Sequence, residues 1–176
     1  MRELFFGSPE YLWLRLLQEA QLDLGLSLGE EVESYVLFTI IQYIERTNIG
    51  SEALGVAYLQ AQLCYANDRL PLKNVADTCL LMSGLYPLNS VRRKVSPDYF
   101  ANLGVSSYFQ LSDLSWRKDT PESSYYGDLA INFYDVIRVL FYIRCLNTEN
   151  LDASSLVGSC NGSYDHVIQV LQSQKM

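Results

Sequence analysis

A chain of 176 residues with 49% hydrophobic and 19% charged residues has the length of one domain and the composition of a packed globule, which excludes a disordered polyelectrolyte. Its 20 acidic and 13 basic side chains leave a formal net charge of -7, so most of its surface repels phosphate backbones and anionic lipid headgroups, and neither nucleic acid nor a membrane is expected as a partner. Cys64, Cys79, Cys145 and Cys160 form no Cys-x-x-Cys pair and Met1 to Phe6 lacks a signal peptide's apolar core, so the expectation is reduced thiols in a cytoplasmic protein.

Helix punctuation begins at Ser8-Pro9-Glu10, where a capping residue precedes a proline at the first helical position and an acid faces the positive end of the dipole. The spacing of Leu12, Leu16, Ala20 and of Trp13, Leu17, Leu24 predicts a helix over Pro9 to Leu24 with one buried face. Ser27 with Glu30 three residues on reads as a capping box opening a helix from Gly29 to about Thr47. Between Tyr35 and Ile44 this helix is apolar around most of its circumference, which marks it as the expected central helix. That run holds about ten residues and includes Gln42, against the ~20 needed to span a bilayer.

Asn48 and Gly50 stop the second helix, and a third is expected from Glu52 to Asn67, carrying Leu54, Tyr58, Leu59, Ala61, Gln62 and Tyr65. Pro71 opens a fourth, reaching about Leu85, and Ser96-Pro97-Asp98 repeats the cap pattern of Ser8 for a fifth from Pro97 to about Asp113. Trp116 to Glu122 is polar and rich in turn residues, a loop. Ser123 or Ser124 then caps one long helix to about Leu146, with Leu129, Phe133, Val136, Ile137, Leu140 and Phe141 as its apolar stripe. Alternating strand patterns are scarce and the linkers are short. The expectation is an all-α fold: one compact bundle of six to seven helices with mostly antiparallel neighbours, a single domain over 1–176 in which 152–176 is loosely attached.

Catalytic signatures are missing. There is no Gly-x-x-x-x-Gly-Lys, no Gly-x-Ser-x-Gly and no dinucleotide fingerprint. The one histidine, His166, belongs to no Glu-x-x-His pair, so no metal is expected, and no cofactor either. Asp165 beside it points elsewhere on a helix, so His166 reads as solvent-exposed or capping. Cys64, Cys79 and Cys145 sit among apolar residues on predicted helices and read as packing thiols.

Two features stand out against this background. Thirteen tyrosines, among them Tyr35, Tyr43, Tyr58, Tyr99, Tyr108, Tyr126, Tyr134 and Tyr142, read first as amphipathic packing with the hydroxyl wet, and alternatively as an aromatic-lined groove for a peptide or partner helix. Arg92-Arg93-Lys94 is the only run of three positive charges in an acidic chain. Its ordinary role is to compensate the negative end of the fourth helix. Its functional alternative is an anion or partner site made by Arg92, Arg93, Lys94 and the Ser96 cap, with Tyr86 and Tyr99 beside them.

Around this run, Asp77-x-Cys79-Leu80-Leu81-x-Ser83-Gly84-Leu85-Tyr86-Pro87, then Arg93-Lys94-Val95-Ser96-x-Asp98-Tyr99-Phe100 and Gly104-x-x-Ser107-Tyr108, about 32 residues in all, resembles a helical family of uncharacterised bacterial proteins with a Gly-aromatic turn, a basic turn and an Asp-Tyr-aromatic helix start. The resemblance implies no known activity and no functional residue. It implies that the turn and the helix after it form one structural unit.

The expected function is a non-catalytic cytoplasmic interaction module, an adaptor or regulatory protein, whose partner is another protein or itself through a homodimer. The alternative is a small-ligand binder or enzyme with a pocket inside the bundle, in which Asp77 or Asp135 supplies the polar groups. Because carboxylates are rarely buried without partners, both acids are expected on solvated faces.

Overall fold

The computed structural model describes residues 8–44, 53–64, 68–87, 95, 98–117 and 122–146. Among these residues there are seven helices and no strand: α1 (Pro9–Leu24), α2 (Glu30–Ile44), α3 (Leu54–Cys64), α4 (Leu70–Gly84), α5 (Asp98–Arg117), α6 (Glu122–Ile131) and α7 (Phe133–Leu146). The fold is all-α.

Local chemistry sets the first helix as its sequence implies. The Ser8 side chain accepts from the Tyr11 backbone N–H at 3.4 Å, Pro9 occupies the first turn, and Gly25 ends the helix in the left-handed region at φ 64°. The backbone N–H of Leu26 then returns to the Gln21 carbonyl at 2.9 Å, closing the turn. Gln21 also organises the step to α2: its Oε1 accepts from the Leu28 N–H at 2.8 Å, and its Nε2 donates to Glu33 Oε2 at 2.6 Å. Gly29, at φ 81°, occupies the position before α2 that the sequence assigns to a Ser27 cap, and its carbonyl accepts from the Glu33 N–H.

Two boundaries and the choice of central helix differ from the sequence reading. Trp116 and Arg117, expected in a loop, complete the last turn of α5, where Arg117 pairs with Asp113 at 3.0 Å and its cation suits the negative end of the helix. The single long helix expected to Leu146 is two, α6 and α7, divided at Asn132. The interruption is confined to that residue: the backbone bonds from the Asn132 N–H to the Asp128 carbonyl at 2.8 Å and from the Val136 N–H to the Asn132 carbonyl at 2.9 Å both persist, and the Asn132 side-chain amide donates to the same Asp128 carbonyl at 2.9 Å. The central position belongs to α4 and not to α2. From Val75 to Gly84, α4 is buried almost throughout and contacts α3, α5 and α7, whereas Phe38 of the apolar second helix faces outward.

The main core gathers residues from all seven helices, including Leu17, Val36, Ile40, Leu80, Tyr108, Leu111, Phe133, Leu140 and Tyr142. A second, smaller cluster of Leu54, Val75, Cys79, Met82 and Phe100 lies under α3, between α4 and α5. No described helix is long and apolar enough to cross a membrane. Residues 152–176, His166 and Cys160 among them, lie outside the described residues.

Candidate functional site

Two places combine unusual chemistry with defined geometry, and they are opposites. The first is the interior around Asp77. An aspartate in the run Leu72-Lys73-Asn74-Val75-Ala76-Asp77 is expected to turn to water, yet Asp77 is 0% exposed. It is stable there because three donors surround it. Oδ1 accepts from the hydroxyls of Tyr35 at 2.7 Å and Tyr108 at 2.8 Å, and Oδ2 accepts from Lys73 Nζ at 2.7 Å. Helices α2, α4 and α5 therefore meet on one carboxylate.

An aromatic wall closes around it. The rings of Tyr35, Tyr108, Tyr125, Tyr126 and Phe133 lie within 4.6–6.2 Å of one another along the contact chain, and the Lys73 ammonium stands 5.3 Å from the Tyr35 ring centroid. Burial, followed by the adjacent Asp77 charge, pushes the Tyr35 and Tyr108 hydroxyls well above the usual phenol range. They remain protonated donors. The expectation of wet tyrosine hydroxyls fails for the buried ones: Tyr108 bonds Asp77, Tyr142 bonds Asp23 Oδ2 at 2.9 Å, and Tyr43 bonds the Asn74 carbonyl at 3.3 Å.

For chemistry on a substrate, Asp77 needs a free lone pair facing an approach path. Its near neighbours are instead the chain's own donors, with Lys73 neutralising its charge. The arrangement is that of an internal polar fastening.

The second place is the surface around α3. Ala53 to Cys64 contains no charged residue, and Gln60 and Gln62 are the only amide side chains in α3, yet among its residues only Leu54 and Ala61 are buried. Leu59 is 65% exposed and Leu63 90%. Polar contacts fasten it to α5: Gln62 Nε2 donates to Gln110 Oε1 at 2.6 Å, and Gln110 Nε2 donates to the Tyr58 hydroxyl at 2.7 Å. Open grooves flank it on both sides. The one facing α4 holds about 380 Å³ and has a mixed lining that includes Cys64, Asp68, Asn74 and Thr78.

The groove facing α5 is larger, about 570 Å³, and is walled by Leu54, Val56, Leu59, Val95, Phe100 and Leu103, with only the Tyr58 and Tyr99 phenols adding polar atoms. Among the described residues no charged side chain lines it. Gly55 lets the Tyr99 hydroxyl lie directly against the α3 backbone, in space that any Cβ would occupy.

The sequence-predicted site residues do not form one site. Arg92, Arg93, Lys94 and Ser96 lie outside the described residues. Tyr99 joins the α3 groove, while Tyr86 lies under the Arg144 guanidinium of α7, 5.8 Å from its ring centroid. Arg144 also donates from Nη1 to the Leu85 carbonyl, so a cation from α7 serves the end of α4, a role that sequence order assigns to Arg92-Arg93-Lys94. Asp135 is on α7, half-exposed and paired with Arg138 at 2.9 Å, apart from the Asp77 donors.

Cys79 and Cys145 are buried, and burial pushes their thiols up to about 12 and about 11. Among the described residues no group of three or more His, Cys, Asp or Glu side chains is placed to hold a metal ion. Sequence reasoning passed over the Lys73-x-x-x-Asp77 spacing, which puts a cation one helical turn before the acid on an apolar helix, and the charge-free run in α3. Comparison with family models, with curated proteins and with solved structures finds no match.

Proposed function

We propose that this chain is a non-catalytic helical interaction module that receives the apolar face of a partner helix in the groove between α3 and α5. One observation carries the reading: an apolar groove of about 570 Å³ whose described lining holds no charged side chain, edged by the exposed Leu59, on a chain with 13 basic and 20 acidic side chains. Depletion of charge with aromatic enrichment is the composition of an interface core, and leucine knobs beside an apolar groove are the elements of helix-in-groove recognition. One wall of the groove is Ala53 to Leu59 at the start of α3, and the other is Val95 with Tyr99, Phe100 and Leu103 of α5. The thiols of Cys64 and Cys79, described without a disulfide, suit a reducing, cytoplasmic setting.

The rival reading, a small-ligand or enzymatic pocket inside the bundle, draws on the burial of Asp77. Its weakness is the set of protein donors already seated on that carboxylate at 2.7–2.8 Å.

The test is fluorescence anisotropy with a fluorescein-labelled model helix carrying leucine at its a and d positions and alanine, lysine and glutamate elsewhere. Saturable binding is expected, weakened at least ~10-fold by Leu59→Glu because a buried carboxylate would replace an apolar contact. Equal binding by the two proteins, both shown to be folded by circular dichroism, rejects the groove.

A further inference from the structure

Resting on the groove reading, we infer that the helix this groove receives is α3 of a second copy of the same chain, so that the protein forms a two-fold dimer by reciprocal exchange of α3 knobs.

The geometry of α3 is self-complementary. Its groove lies beside the N-terminal half of the helix, walled by Leu54, Val56 and Leu59 and by Tyr99 and Leu103 of α5. Its most prominent knob lies at the other end: Leu63 is 90% exposed and is not part of the groove wall. Val56, Leu59 and Leu63 are spaced i, i+3, i+7, which puts them in one stripe. Two such helices crossing antiparallel about Leu59 bring Leu63 of each copy over Val56 and the groove of the other. Both contacts form at once, which is what an isologous interface requires.

Charge selects the same occupant. At -7 per chain two copies repel wherever their acidic faces meet, but Ala53 to Cys64 carries no charge, so α3 can approach its own copy without setting like charges against each other. Area sets the strength. An 11-residue helix is about 16 Å long. With the groove wall, the contact falls short of the ~800 Å² per partner of a standard interface. The dimer is therefore weak and exchanging, with dissociation in the micromolar range.

The experiment is sedimentation velocity on the full chain from ~1 µM to ~1 mM, with amide hydrogen exchange read over α3 at both ends of the range. Wild type is expected to pass from monomer to dimer while exchange in α3 slows. Leu63→Glu, at a position too exposed to affect folding, is expected to weaken the dimer at least ~10-fold. Leu22→Glu, at an 80% exposed position on α1, is expected to leave it unchanged.

A monomer at every concentration overturns the inference. So does a dimer that survives Leu63→Glu, or α3 protection independent of concentration, which would mean that residues of the same chain cover the face. If the chain stays monomeric but still binds the labelled model helix, the groove reading stands with another protein as occupant. If it does neither, both fall.

Discussion

The interior around Asp77 and the outer face of α3 invert the usual distribution of polarity. Inside, a carboxylate that is 0% exposed is held by two phenols and an ammonium drawn from three helices. Outside, a charge-free helix offers Leu59 and Leu63 to water. Buried polar groups persist when every member has a partner, and such networks narrow the ways helices can pack. Exposed apolar stripes have no such partner within the described fold. The inside contact is complete and the outside one is open, so the first bears on stability and the second is where the proposed association is tested.

This contrast is broken most severely at Asp77. Asp77→Ala leaves the buried Tyr108 hydroxyl and the Lys73 ammonium without their acceptor, and a loss of about 3–5 kcal/mol in unfolding free energy is expected from urea titration. Adding Lys73→Met to Asp77→Leu is expected to recover part of that loss, because removing both members of a buried pair costs less than removing one. Full additivity of the single variants would show that the pair does not act as a unit.

Tyr108→Phe tests the same network more gently. It removes one hydrogen bond to a charged group and keeps the ring, for an expected loss of about 1.5–3 kcal/mol. A variant as stable as wild type would mean that Asp77 does not depend on this donor.

Alkaline pH acts in the same direction without mutation. Cys79, Cys145, Tyr35 and Tyr108 are all raised by burial, so the folded state holds protons that the unfolded chain releases. Where the unfolded state binds fewer protons, stability falls as pH rises. Their contribution is complete below about pH 9, the ordinary thiol value, and is lost progressively above it, more steeply once unfolded tyrosines ionise near 10. Thermal melts across that range are expected to show a falling midpoint, and a flat profile would place these groups in contact with water.

The smallest effect is expected outside. Leu63→Glu should change unfolding free energy by less than about 0.5 kcal/mol, since the side chain is already in water, while changing association as described above. A large destabilisation there would move Leu63 into the core and erase the contrast.

Local signals in the chain translated directly into structure. Ser8-Pro9-Glu10 caps α1 because the cap, the proline and the acid act within one turn, and Gly25 ends it by adopting a positive φ. The cysteines at 79 and 145 pack as small apolar groups. The division at Asn132 was illegible because the apolar stripe and the backbone hydrogen bonds to Asp128 and from Val136 both run across it, so the interruption is one residue wide. Asp77 was illegible as a buried group for a different reason: its tyrosine partners stand 42 and 31 residues away in the chain. The tyrosine abundance announced packing, but not which phenols would converge.

The sequence by itself determined an all-α chain, the starts of its described helices other than α7, the apolar thiols and the absence of charge between Ala53 and Cys64, because each follows from properties of neighbouring residues. Tertiary structure alone decided that α4 is central, that Arg144 of α7 serves the end of α4, that Asp77 is enclosed by its own donors, and that α3 keeps an apolar face open. Those outcomes depend on which distant faces meet, and helix periodicity fixes a face without naming what it meets.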